Sequence, residues 1–169
     1  MKPKFIQSHM KVAEIYANLS SAERLKVGAV IVKNDTIIGI GYNGMPSGWN
    51  NTCERKEYMP INGDGLSSEK EILSMWPYEE YDKRYKLITR DEVIHAESNA
   101  ISKVARSTNS TEGSYLFVTH APCIHCAKLI HQSGIVRVYY KELYKNNDGL
   151  KFLEKCNVKV MTVKGDNIC

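Results

Sequence analysis

The stretch that decides the fold is IHAESNAISKVARSTNSTEGSYLFVTHAPCIHCAKLIHQSGIVRVYY, residues 94–140. Its apolar spacing predicts a helix over 95–106, a strand over 114–118, a second helix over 123–133 and a second strand over 135–139. Downstream the alternation continues with a helix over 148–155 and a strand over 158–163. Upstream, Phe5, Val12, Ile15, Tyr16 and Leu19 lie at helical spacing within residues 4–19. Two apolar runs, 27–32 and 36–40, flank the turn residues Lys33-Asn34-Asp35 and read as a β-hairpin. Strands alternating with helices imply α/β/α layering, and the hairpin makes the sheet mixed. The expected fold is a three-layer α/β/α domain spanning 1–169, with a mixed, roughly five-stranded central sheet.

Residues 49–90 break this regularity. They hold Pro60, Gly63, Gly65 and Pro77, charges of both signs, and the aromatics Trp49, Tyr58, Trp76, Tyr78, Tyr81 and Tyr85. A plain loop of that length is improbable in a compact domain, so an insertion with short helices over 67–75 and 79–86 is expected. Local packing is the simpler role for its aromatics.

The chemistry concentrates at two predicted helix starts. His95-Ala96-Glu97 opens one helix, and Pro122-Cys123-Ile124-His125-Cys126 leads into the next. Two thiolates three residues apart can hold one metal ion from a single helical turn, and a helix N-terminus favours the thiolate form. With His95 they make a three-ligand zinc site, a number that leaves one position for water. Glu97, two residues beyond His95, is off the ligand's face and is placed to move protons as the catalytic carboxylate. His125 points away from the pair by helical rotation. A redox C-x-x-C pair needs no H-x-E partner, and a structural zinc site would need a fourth protein ligand.

H-x-E…P-C-x-x-C is the general signature of the zinc nucleobase deaminases. Together with Val27–Val32 (VGAVIV), Gly39–Gly48 (GIGYNGMPSG), His95–Ile101 (HAESNAI) and Pro122–Ile130 (PCIHCAKLI), it makes the chain resemble the cytidine/deoxycytidylate deaminase superfamily, and its deoxycytidylate branch in particular. The resemblance runs from about residue 5 to 163, interrupted by the insertion. It implies hydrolysis of dCMP to dUMP and ammonia, supplying dUMP for thymidylate synthesis, with zinc on His95, Cys123 and Cys126. It implies substrate contacts from Asn43, the Ala96 backbone and Tyr144. It further implies a homohexamer activated by dCTP with Mg2+ and inhibited by dTTP, with effector contacts from Gly41, Tyr42, Gly44 and Arg106. Arg24 and Lys26 are additional candidates for phosphate binding.

Gly39-Ile40-Gly41-Tyr42-Asn43-Gly44 also spells G-x-G-x-x-G, but Met45-Pro46-Ser47-Gly48 follows where a dinucleotide-binding turn requires a helix, so that reading fails. A deaminase of bases within RNA or DNA shares both zinc motifs. The GYNGMP loop and the dispersal of the basic residues argue against it. From the length of 169 residues, no second, reductase domain is expected.

Composition agrees with a folded, cytoplasmic protein: 169 residues, 43% hydrophobic, 25% charged and a net charge of +4 with acids and bases interleaved. No membrane span and no signal core is expected. The odd count of five cysteines fits reduced thiols better than a disulfide framework. Cys53, Cys156 and Cys169 lack ligand-spaced partners and are expected to be ordinary thiols.

Overall fold

A computed structural model of the chain describes residues 1–60, 68–164 and 167–168. Cys169, Gly63, Gly65 and the first residue of the expected 67–75 helix lie outside them.

The central sheet has the order β2 (Thr36–Tyr42), β1 (Gly28–Lys33), β6 (Tyr115–His120), β7 (Arg137–Glu142), β8 (Lys159–Lys164), with the two-residue β9 (Asn167–Ile168) at its edge. β1 is antiparallel to β2 and β6, whereas β6, β7 and β8 run parallel. The mixed sheet of five full strands agrees with the sequence reading. Its period-2 alternation divides the core. Ala29, Ile31, Leu116, Val118 and Val138 face α3 (Ala96–Ala105), α4 (Ile124–Gln132) and α5 (Asp148–Lys155). Val30, Val32, Phe117 and Tyr139 face α1 (Pro3–Ala17), which buries Ile6, Met10 and Ala13 against them. The sandwich therefore carries one helix on one side and three on the other.

The glycines of β2 have a packing role that the sequence reading did not assign. A Cβ at Gly41 would collide with the Ala96 carbonyl and lie 2.6 Å from the Ala100 nitrogen. Gly41 is buried beneath α3 and lets that helix settle on the edge strand.

The insertion departs from expectation. The helix over 67–75 is present as α2 (Glu69–Met75), started by a capping box between Ser68 and Glu71. The expected helix over 79–86 is instead a β-hairpin of β4 (Tyr78–Glu80) and β5 (Lys83–Thr89), which pairs onward with β3 (Glu54–Tyr58) in the order β3-β5-β4. Tyr81 and Asp82 both have positive φ, 50° and 58°. Left-handed backbone at both central residues reverses two strands and cannot continue a helix. Tyr85 stacks on Tyr78 at 5.4 Å and tilts against Tyr58 at 5.7 Å, so these aromatics pack on one another. Among the described residues, no helix is long and apolar enough to cross a membrane.

Candidate active site

The site lies in the loops outside the carboxyl ends of β6 and β7, where open α/β sheets commonly bind ligands. His95 is the N-cap of α3 and Cys123 the N-cap of α4. The start of α3 is pinned by a bridge in which Gly44 and Ile94 exchange backbone hydrogen bonds of 3.1 and 2.9 Å. The Asn99 amide adds a bond to the Tyr42 carbonyl at 2.9 Å. The turn into α4 is held by Ala121, whose N–H donates to the Glu142 carbonyl at 2.8 Å, and by Gly149, whose missing Cβ makes room for the Pro122 carbonyl.

These anchors bring together three residues that lie up to 31 positions apart. His95 Nδ1 lies 3.6 Å from Cys123 Sγ and 3.4 Å from Cys126 Sγ. The three donor atoms lie within 4.8 Å of one another, and no other such group of His, Cys, Asp or Glu occurs among the described residues. A tetrahedral zinc ion with bonds of about 2.3 Å to sulfur and about 2.0 Å to nitrogen has S···N edges of about 3.5 Å. The donor set fits that ion. His125 is exposed and outside the cluster, as expected; Cys53 is buried and Cys156 half-buried.

The electrostatics are arranged for the same purpose. The Cys126 thiol, then His95, holds the Cys123 thiol down to about 3. Cys126 is pushed up by its bond to Cys123 and by burial. Glu97 is 4% exposed, and burial lifts its carboxyl to about 7. A carboxyl poised near neutrality can both take and give a proton.

A cavity of about 570 Å3 opens over these groups. Its floor is His95, Ala96, Glu97 and Cys123. His120 and Ala121 line it from the end of β6, and Leu143, Tyr144 and Lys145 from the segment after β7. Asn43 lines it as well, and its amide also organises the neighbouring loop: Oδ1 accepts from the Val27 N–H at 2.7 Å and Nδ2 donates to the Leu25 carbonyl at 2.8 Å. Each of these Asn43 atoms retains a second bonding position. Of the two phosphate candidates, Arg24 lines the cavity and Lys26 does not.

The effector candidates lie elsewhere. Gly41 is under α3, Tyr42 sits beneath the Lys103 ammonium at 5.4 Å, and Gly44 serves the bridge to Ile94. Arg106 is the exposed C-cap of α3, about 16 Å along the helix from His95. Sequence reasoning missed Glu54, Ile88, Thr89 and Val93 as cavity residues. The first three come from the insertion's strands β3 and β5.

Residues 3–142 match the cytidine and deoxycytidylate deaminase zinc-binding region. The deoxycytidylate deaminase of Enterobacteria phage T4 is 33% identical over 94% of this chain and 90% of its own length. The human deoxycytidylate deaminase is 33% identical over 82% of this chain and 66% of its own. The dCMP deaminase of cyanophage S-TIM5, solved with dCMP and dUMP, superposes with a TM-score of 0.76 at 36% identity, covering 96% of this chain and 99% of that one.

Proposed function

The chain belongs to the cytidine and deoxycytidylate deaminase family, and from that premise we propose that it hydrolyses dCMP to dUMP and ammonia. The observation that carries this reading is the buried Glu97 carboxyl beside a His-Cys-Cys donor set on the floor of a nucleotide-sized cavity. The likeness to the phage T4 and S-TIM5 enzymes supports the choice of dCMP.

His95, Cys123 and Cys126 would hold zinc, which when bound supplies a Lewis acid and a water of lowered pKa. Glu97 accepts a proton from the attacking water, delivers it to N3 of the cytosine, and then assists protonation of the departing 4-amino group. The Ala96 N–H, one of the free donors in the first turn of α3, orients the pyrimidine edge. Asn43 faces the sugar with the bonding positions left after it holds the 25–27 loop. Arg24 and Lys145 are the long cations that line the cavity. With Tyr144, they are suited to the 5′-phosphate. The product, dUMP, is the form of uracil nucleotide required for thymidylate synthesis.

The regulatory reading rests on the edge formed by β2 and α3, where Tyr42, Lys103 and Arg106 offer a ring and two cations. There dCTP with Mg2+ activates and dTTP inhibits a homohexamer. Sigmoidal dCMP kinetics that become hyperbolic with dCTP are the expected signature; hyperbolic kinetics unaffected by either triphosphate would contradict it.

Substrate assignment is tested by ammonia release from dCMP, CMP, dCTP and single-stranded DNA. Preferential release from dCMP is expected. Preference for CMP or the DNA strand would overturn the assignment.

A further inference from the structure

The insertion builds part of the cavity wall, and its contacts converge on one residue. Glu54 and Thr89 are register partners on the adjacent strands β3 and β5, so their side chains share a face. Glu54 is a carboxylate at 6% exposure. Its two oxygens accept the successive backbone N–H groups of Glu23 (3.2 Å) and Arg24 (3.3 Å). Across the ladder, the Thr89 hydroxyl accepts from Arg24 Nη1 at 2.9 Å. The strand pair thus grips Arg24 at both ends, main chain and guanidinium. The end of the small sheet is itself fixed: Arg90 N–H donates to the Cys53 carbonyl at 2.9 Å and Arg90 Nε to the Glu54 carbonyl at 3.3 Å. Arg24 and Tyr144 both line the cavity, and so does Thr89, whose hydroxyl holds the Arg24 guanidinium.

We propose that Glu54 and Thr89 are positioning residues through which the insertion sets the enzyme's preference for phosphorylated nucleotides, by holding Arg24 in the cavity wall where a 5′-phosphate arrives. The inference rests on the dCMP reading above and deepens it. An arginine on an exposed loop loses side-chain entropy each time it orders around an anion, and a prior tether removes part of that cost. The tether leaves most of the five guanidinium N–H groups free for phosphate oxygens.

The test is the ratio of dUMP to deoxyuridine affinity, measured by calorimetry on the zinc-loaded protein, because that ratio isolates the phosphate contribution. Arg24→Ala is expected to collapse the ratio. Thr89→Val, which keeps the side chain's shape but removes the acceptor, is expected to lower it about tenfold, the usual scale of one hydrogen bond to a charged group. Thr89→Ser should retain the parental ratio, and Glu54→Gln should lower it with zinc content unchanged. Thr89→Val should add no further loss in the Arg24→Ala background. A parental ratio in Thr89→Val, or an equal fall in both backgrounds, would overturn the proposal. Failure of the parent protein to release ammonia from dCMP counts against the substrate reading instead, while the affinity ratio still decides the tether.

Discussion

Glu97 shows how one buried side chain can serve chemistry at the expense of stability. Burial raises its carboxyl from the ordinary 4.5 to about 7. Between those values the native metal-free protein keeps a proton that the unfolded chain has released. Its contribution is therefore intact below pH 4.5 and is lost as pH rises to 7, a penalty of about 3 kcal/mol above that window. Cys123, held down to about 3, acts in the opposite direction over the same range. The difference between the parent and Glu97→Gln isolates the Glu97 effect. Metal-free Glu97→Gln should melt several degrees above the metal-free parent at pH 8 and level with it at pH 4.5, as calorimetry would show; equal melting at both pH values would contradict the assignment. Glu97 as a candidate for proton transfer was legible from its place two residues beyond a candidate ligand. Its complete burial was not, because Glu97 is enclosed by elements distant in sequence.

At the scale of elements, the zinc site depends on how closely two helices approach the sheet. Gly41 admits α3, so Gly41→Ala should destabilise the fold by about 1–3 kcal/mol through overpacking. It should also weaken zinc retention, since His95 caps that helix; unchanged melting and zinc content would contradict the packing role. The β4–β5 turn offers the converse experiment. Tyr81 and Asp82 occupy left-handed conformations that Asn-Gly adopts more readily. Tyr81→Asn with Asp82→Gly should raise the melting temperature slightly and leave dCMP kinetics unchanged; a lower melting temperature would contradict the turn geometry. The helices and strands around 94–140 were legible because apolar period and end residues agree there. The expected 79–86 helix rested on the improbability of a plain loop that long, an argument that does not distinguish a helix from a hairpin. The grip of Glu54 and Thr89 on Arg24 spans 30 and 65 residues and involves ordinary side chains, so no local pattern could announce it.

In the whole molecule, a three-against-one arrangement of helices leaves the carboxyl edge of β6 and β7 as the place where two helix N-termini, a strand-end loop and the insertion meet. The insertion extends the wall of the cavity that the core domain floors. Because the donors come from separate helices, chelation should lower the melting temperature and abolish turnover together, and added zinc should restore both. Loss of either property without the other would separate the metal from the fold or from the chemistry. The central claim is hydrolytic deamination of dCMP using the Glu97 carboxyl beside the His95, Cys123 and Cys126 donors. Its most direct test measures dUMP and ammonia formed from dCMP by the parent and by Glu97→Gln at matched zinc content. The account predicts equimolar products from the parent and a rate about 10²–10⁴-fold lower in the variant; no ammonia from the parent, or a parental rate from the variant, would contradict it.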